Sequence, residues 1–267
     1  MGAVRPYLQF ARLAFQRRAA YRMANATGVV VNAFFLMLHA QVLLGFFRAR
    51  GIAEGWSAAD AVLYFMASES LLLAIGLFPD WNYNLAERVR TGEIIVDLVR
   101  PVRLYAREVA ERFGTAGYYL VTRAPAVFGI GWAIYGFVPP LRWELLLFPV
   151  SLALAIAVMA GLWFAACSAA FWRERANGEI LAVVIVNSFF GGAFVPLDFY
   201  PEPVRWLANA LPFRATLYTP VAIFAGKLSG TPLAFGLLHQ VVWVGGMAAL
   251  ASMLEARGLR RIAAVGG

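Results

Sequence analysis

The chain has 267 residues, 61% hydrophobic and 14% charged, with a formal net charge of +8. Soluble domains run to about 45–50% apolar and about 25% charged residues, so an ordinary soluble domain is excluded. The arginines are scattered between apolar runs, which argues against a nucleic-acid surface, and one cysteine (Cys167) with two histidines (His39, His239) argues against a disulfide framework or a Cys/His zinc site.

Residues 1–22, MGAVRPYLQFARLAFQRRAAYR, carry arginines throughout and no apolar core, so they do not read as a signal peptide. Leu8, Ala11, Phe15 and Ala19 fall at helical spacing, with Arg12 and Gln16 on the other side. This predicts a helix lying in the membrane interface. Apolar runs follow at 24–47, 59–78, about 115–137, about 144–170, about 179–197 and about 234–255. A helical span takes roughly 20 residues. Backbone in hydrocarbon must satisfy its own polar groups, and the alternation of a membrane barrel is absent, so each run reads as helix. The expected fold class is an all-α membrane protein with six transmembrane helices, one transmembrane domain over 1–267. With the N-terminus placed in the cytoplasm, sixteen basic residues fall on inside segments and six on outside segments. That bias puts both termini inside.

Between the second and third runs lies a charged arm, 79–113. Within it, Glu87–Phe113 holds six arginines and five acids. Thr91 can cap a helix, and Glu93 suits its first turn. Ile94, Ile95, Leu98, Val99 and Val102 form one face; Glu93, Asp97 and Arg100 form the other. Pro101 disfavours helix at Arg100, so a stop or kink is expected there. A second helix from about 102 to 113, with Arg107–Glu111 and Glu108–Arg112 spaced i, i+4, leads into the third span. A short helix, a bend and a lever joined to a membrane helix suit docking of a partner. A loop made basic only to fix topology would need neither the acids nor the apolar stripe.

Glu69 and Arg123 both fall inside spans, each roughly 14 Å from the cytoplasmic end at about 1.5 Å per residue. A lone charge at such depth costs at least ~2.5–3.5 kcal/mol, so the two are expected to pair, as a structural brace or on a cargo path. Asn32, His39, Asn187 and His239 read as interhelical hydrogen-bonding groups. Gly191–Gly192 and Gly245–Gly246 permit close helix contact or bending. The outer segment 196–231 is cut by prolines. Val204, Leu207 and Leu211 give it an apolar stripe, and Tyr200, Trp206 and Tyr218 suit the headgroup level. Short re-entrant helices are expected there.

No G-x-x-x-x-G-K-[ST] phosphate loop is present: Gly226–Lys227 is followed by Leu228, and Val221 stands where the first glycine belongs. No internal repeat is evident.

Two stretches carry a resemblance: VRTGEIIVDLVRPV, Val89–Val102, and the segment from PLDFYP to FAGK, Pro196–Lys227. With the six-span plan, they resemble the permease subunits of bacterial type-2 ATP-binding-cassette (ABC) exporters. In this copy Ile95 stands where the family's acid usually is, and the acid falls at Asp97. The resemblance implies a coupling helix in the arm, seated in a cleft of a separate ATPase subunit. Glu87, Arg90, Glu93, Asp97, Arg100, Pro101 and Arg103 are the candidate coupling residues. It also implies an N-terminal helix beside that ATPase and an outer gate, for which Pro196, Asp198, Trp206 and Pro212 are the candidates. No cofactor is expected on this chain; ATP and magnesium would sit on the ATPase. A second permease, identical or homologous, and membrane lipids are the other expected partners, in a bacterial cytoplasmic membrane. An ion-coupled transporter using Glu69 and Arg123, or a membrane-embedded enzyme, are the alternative functions.

Overall fold

Local signals set where the helices begin and end. The computed structural model describes residues 4–50, 54–79, 85–99, 102–173 and 175–265, which are almost wholly helical, with no strand among them. The helices are α1 (Arg5–Ala19), α2 (Arg22–Arg50), α3 (Ala58–Ile75), α4 (Leu85–Arg90), α5 (Ile94–Leu98), α6 (Leu104–Tyr135), α7 (Phe148–Cys167), α8 (Asn177–Phe190), α9 (Glu202–Ala210), α10 (Tyr218–Phe224) and α11 (Gly230–Val265). Ser57 opens α3 with a capping box: its hydroxyl accepts from the Asp60 N–H, and Asp60 accepts from the Ser57 N–H. Such a cap is worth about 1 kcal/mol. Gly76, at φ 83°, closes α3 in the left-handed region that favours glycine.

The centre is built on α3 and α7, which are apolar on every side and buried nearly all round. Trp163 of α7 ties them by donating its indole N–H to the Gly76 carbonyl at 2.7 Å. Around them pack α2, α6, α10 and α11. The outer helices α2 and α11 expose Val30, Phe34, Val42, Leu238, Val241 and Val242. Such a surface suits hydrocarbon rather than water.

Among the described residues, four helical stretches are long and apolar enough to cross a membrane: Arg22–Ala49, Ala58–Ile75, Trp143–Phe171 and Gly230–Ile262. The expected third span falls on the second part of α6, where Arg123 and Pro125 lower the apolarity. The expected fifth span, 179–197, falls on α8, which has 14 residues and stops at Phe190. At about 1.5 Å per residue α8 is roughly 21 Å long, short of a ~30 Å core. Gly192, at φ 80°, turns the chain there, so the glycine pair ends a helix rather than bending one. A side chain at Gly245 would meet nothing within 4 Å among the described residues.

Helix α1 lies along α6. Gly114 presents no side chain to the α1 backbone at Ala11, and the Phe15 ring meets Tyr118 edge-on at 5.6 Å. Ala14 is buried and Ala11 and Phe15 meet α6, while Leu8 is 65% exposed, so only part of the expected stripe of Leu8, Ala11, Phe15 and Ala19 packs. Small residues permit the close approach, and the larger Leu8 is left outside it.

Candidate functional site

The arm between α3 and α6 has a braced interior and an uncovered tip. Helix α4 buries Leu85 and Ala86 against the 3-10 turn Ser168–Phe171 that follows α7. Thr91 donates its hydroxyl to the Glu87 carbonyl at 3.0 Å. It therefore closes α4 instead of capping the next helix, whose N-cap is Glu93 without a side-chain bond. Gly92, at φ 77°, reverses the chain into α5.

Helix α5 turns Ile94 inward with Asp97, although the spacing groups Ile94 with Ile95, Leu98 and Val99. Ile94 and Asp97 are buried, whereas Ile95, Val96, Leu98 and Val99 are 62%, 57%, 41% and 82% exposed. The cause is charge. Asp97 forms ion pairs with Arg88 of α4 and Arg107 of α6, both largely buried. A buried carboxylate needs such partners, and turning it inward drives the apolar side chains out. Arg107 also pairs with Glu111 at 2.6 Å and stacks over the Phe10 ring at 4.6 Å. Glu111 reaches Arg17 of α1 at 3.6 Å. Arg112 pairs with Glu108 at 2.8 Å and lies over Trp163 at 5.6 Å. Burial, with the nearby Arg107 charge, pushes the Arg88 guanidinium down to about 10, so it stays charged at neutral pH.

The start of α6 is held from a second direction. Glu255 of α11 accepts the Leu104 N–H at 2.8 Å and the Tyr105 N–H at 3.4 Å. A carboxylate there satisfies orphan donors and faces the positive end of the helix dipole. Arg103 donates to the Ser252 hydroxyl at 2.9 Å. Nothing in the local sequence of the arm signals Glu255, because it lies about 150 residues further on.

The candidate coupling residues thus separate into groups. Asp97 is interior. Glu93 is exposed, and Glu87 and Arg90 form an ion pair on the surface of α4. The hydrogen bond from Arg90 holds the Glu87 carboxyl below the usual range. Arg103 is exposed at the foot of α6. Arg100 and Pro101 lie outside the described residues. Among the described residues the arrangement offers no catalytic constellation; it presents an apolar patch on a short helix whose position is fixed to α4 and α6 by ion pairs.

Glu69 and Arg123 do not meet. Glu69 faces His39 Nδ1 at 3.2 Å, and its backbone carbonyl accepts from Asn32 at 2.8 Å. Arg123 crosses Gly28 and donates to the Asn25 side chain and carbonyl, each at 3.2 Å. Its guanidinium also lies 5.3 Å from the Tyr119 ring centre. Gly131 of α6 is level with Met66 of α3. From there Arg123 is roughly 12 Å toward the arm and Glu69 only roughly 4 Å, at about 1.5 Å per residue. The mismatch in height sends each charge to α2.

At the other end of the bundle, Asp198 accepts from the Tyr218 hydroxyl at 2.7 Å, and its carbonyl accepts from Arg205 at 3.3 Å. Pro196 is buried ahead of the 3-10 turn Leu197–Phe199, and Pro212 is buried where the turn Pro212–Ala215 begins. Trp206 of α9 is 75% exposed. Ala208 is the buried residue of α9, and Leu207 of the expected stripe is exposed. Asn187 accepts from the Thr216 hydroxyl at 2.8 Å, linking α8 to this segment. His239 instead bonds within its own helix, accepting from Trp243 at 3.0 Å. Sequence reading passed over Gln240, which is fully buried and bridges Ser151 of α7 and the Ala215 carbonyl.

Comparison with known proteins agrees with a transport role. The sequence profile of the ABC-2 family transporter proteins matches residues 31–266. No curated protein matches the chain.

Proposed function

Because the chain belongs to the ABC-2 family of transporter proteins, we propose that it is the membrane-spanning subunit of an ATP-driven exporter. ATP is hydrolysed on a separate ATPase subunit, where magnesium also binds. Six helices cross the membrane in this reading, with α8 and the turns after it forming the fifth crossing, and both termini lie in the cytoplasm. A second permease, identical or homologous, completes the path, and segment 196–231 closes its outer end. The amphipathic cargo leaves toward the outer face.

The observation that carries the reading is the exposure of Ile95, Leu98 and Val99 on a helix fixed by buried ion pairs. An apolar patch standing on a charged arm gains stability when a groove covers it. A fully buried side chain of that size contributes about 1.5–3 kcal/mol. Motion of the partner then passes through Asp97 and Arg107 into α6. The apolar helix docks while Glu87, Arg90 and Glu93 supply a polar rim, a division common to protein interfaces.

The test is purification in mild detergent, identification of the bound subunits, and reconstitution in proteoliposomes. A nucleotide-binding subunit and vanadate-sensitive, ATP-dependent transport are expected. Transport driven by an ion gradient and indifferent to ATP would overturn the proposal.

A further inference from the structure

A cleft of about 410 Å³ lies between α2, α3 and the region of α8 and its following turn. Its walls are almost wholly apolar, including Val31, Phe35, Leu72, Ile185 and Phe194. Four polar residues among those described reach it: Asn32, His39, Glu69 and Ser188. Two of these are engaged with backbone. Asn32 donates to the Glu69 carbonyl at 2.8 Å, and Ser188 donates to the Val184 carbonyl at 2.7 Å. The polar feature left to a ligand is the Glu69 side chain with its His39 neighbour.

Glu69 is 3% exposed, and its Oε1 faces His39 Nδ1 at 3.2 Å. Among the described residues, Oε2 has no hydrogen-bond partner. Among the described residues no lysine or arginine lines the cleft, and Arg123 is committed to Asn25 and Tyr119. A carboxyl group aimed into an apolar cleft is costly to leave without a partner. A cation beside Glu69 is a partner of matching charge. The aromatic wall adds ring faces that attract cations, and apolar area for the rest of the molecule.

We propose that this cleft binds a hydrophobic monovalent cation, its positive centre beside Glu69 and its apolar groups against Phe35, Leu72 and Phe194. Phe35, Ile185 and Phe194 are also substantially exposed. The cation therefore enters sideways, from the apolar layer around α2 and α8. As a statement about cargo this rests on the transporter reading; as a statement about binding it does not.

The experiment uses the purified full-length chain in nanodiscs of zwitterionic lipid, without an ATPase. Equilibrium dialysis measures radiolabelled tetraphenylphosphonium, with tetraphenylborate as an anion of the same shape. Saturable binding of the cation alone is expected. Glu69→Gln should weaken it by at least ~10-fold, the equivalent of about 1.4 kcal/mol for a lost charge contact, and Glu69→Asp should largely retain it. Val184→Phe, which fills the cleft and keeps Glu69, guards against a folding defect in Glu69→Gln and should also abolish binding. Absence of saturable binding, equal binding of the anion, or unchanged binding in either Glu69→Gln or Val184→Phe overturns the inference. A phospholipid that co-purifies in the cleft and resists the cation overturns it as well. ATPase co-purification is scored separately. Cation binding without an ATPase removes the transporter reading and keeps the cleft; an ATPase without cation binding does the reverse.

Discussion

Asp97 of α5 is ion-paired with Arg107 of α6 across the bend in the arm, and Arg88 of α4 closes on the same carboxylate. One buried acid therefore joins three helices that a single long charged segment supplies. Removing it leaves two guanidinium groups facing each other in a poorly hydrated site. Asp97→Asn should lower stability by about 3 kcal/mol, the order seen when a buried pair loses one partner. Thermal unfolding in detergent measures this. Adding Arg88→Gln should recover part of the loss, because it removes one of the stranded charges.

Glu255 reaches the arm from the far end of the sequence and caps the first turn of α6. Glu255→Gln keeps an acceptor oxygen but removes the charge facing the helix dipole. The expected loss is about 1 kcal/mol, concentrated at the start of α6. Hydrogen exchange should show faster exchange at Leu104 and Tyr105 than in the wild type, with the centre of α6 unchanged.

Glu69 and Arg123 serve different partners, so their substitutions should act independently. In a double-mutant cycle with Glu69→Gln and Arg123→Leu, the stability effects should add to within about 0.5 kcal/mol. The cycle between Glu69→Gln and His39→Phe should show a coupling larger than that. Strong coupling in the first cycle and none in the second would contradict the observed geometry.

The apolar runs showed the helical class and the core because composition alone decides whether a long segment is buried or lipid-facing. Helix ends were harder to read. Gly191–Gly192 suit close helix contact or bending in sequence, yet the left-handed turn at Gly192 stops α8 after Phe190. Spacing in α5 separates Asp97 from Ile95, Leu98 and Val99 but does not say which side faces inward. In five residues a helical stripe is too short to fix direction, and the residues that pull Asp97 inward sit on α4 and α6. The pairing of Glu69 with Arg123 failed similarly. Depth counted along each run takes no account of where α3 and α6 cross, at Met66 and Gly131. Arg107–Glu111 and Glu108–Arg112 pair as their i, i+4 spacing indicates, whereas Asp97, Glu69 and Arg123 find partners through tertiary placement that spacing does not carry, and Glu255 gave no local signal at all.

The central claim is that the exposed side chains of α5 are the seat of a separate ATPase, held in place from behind by Asp97. The most direct measurement is quantitative co-purification of the nucleotide-binding subunit with wild type and with the double variant Ile95→Glu/Val99→Glu. Both positions are exposed, so folding and membrane insertion should be unchanged. The expected result is normal permease yield with at least a ~10-fold loss of bound ATPase, about 1.4 kcal/mol or more of interface energy. Retention of the ATPase at wild-type stoichiometry, with ATP-driven transport intact, would contradict the account.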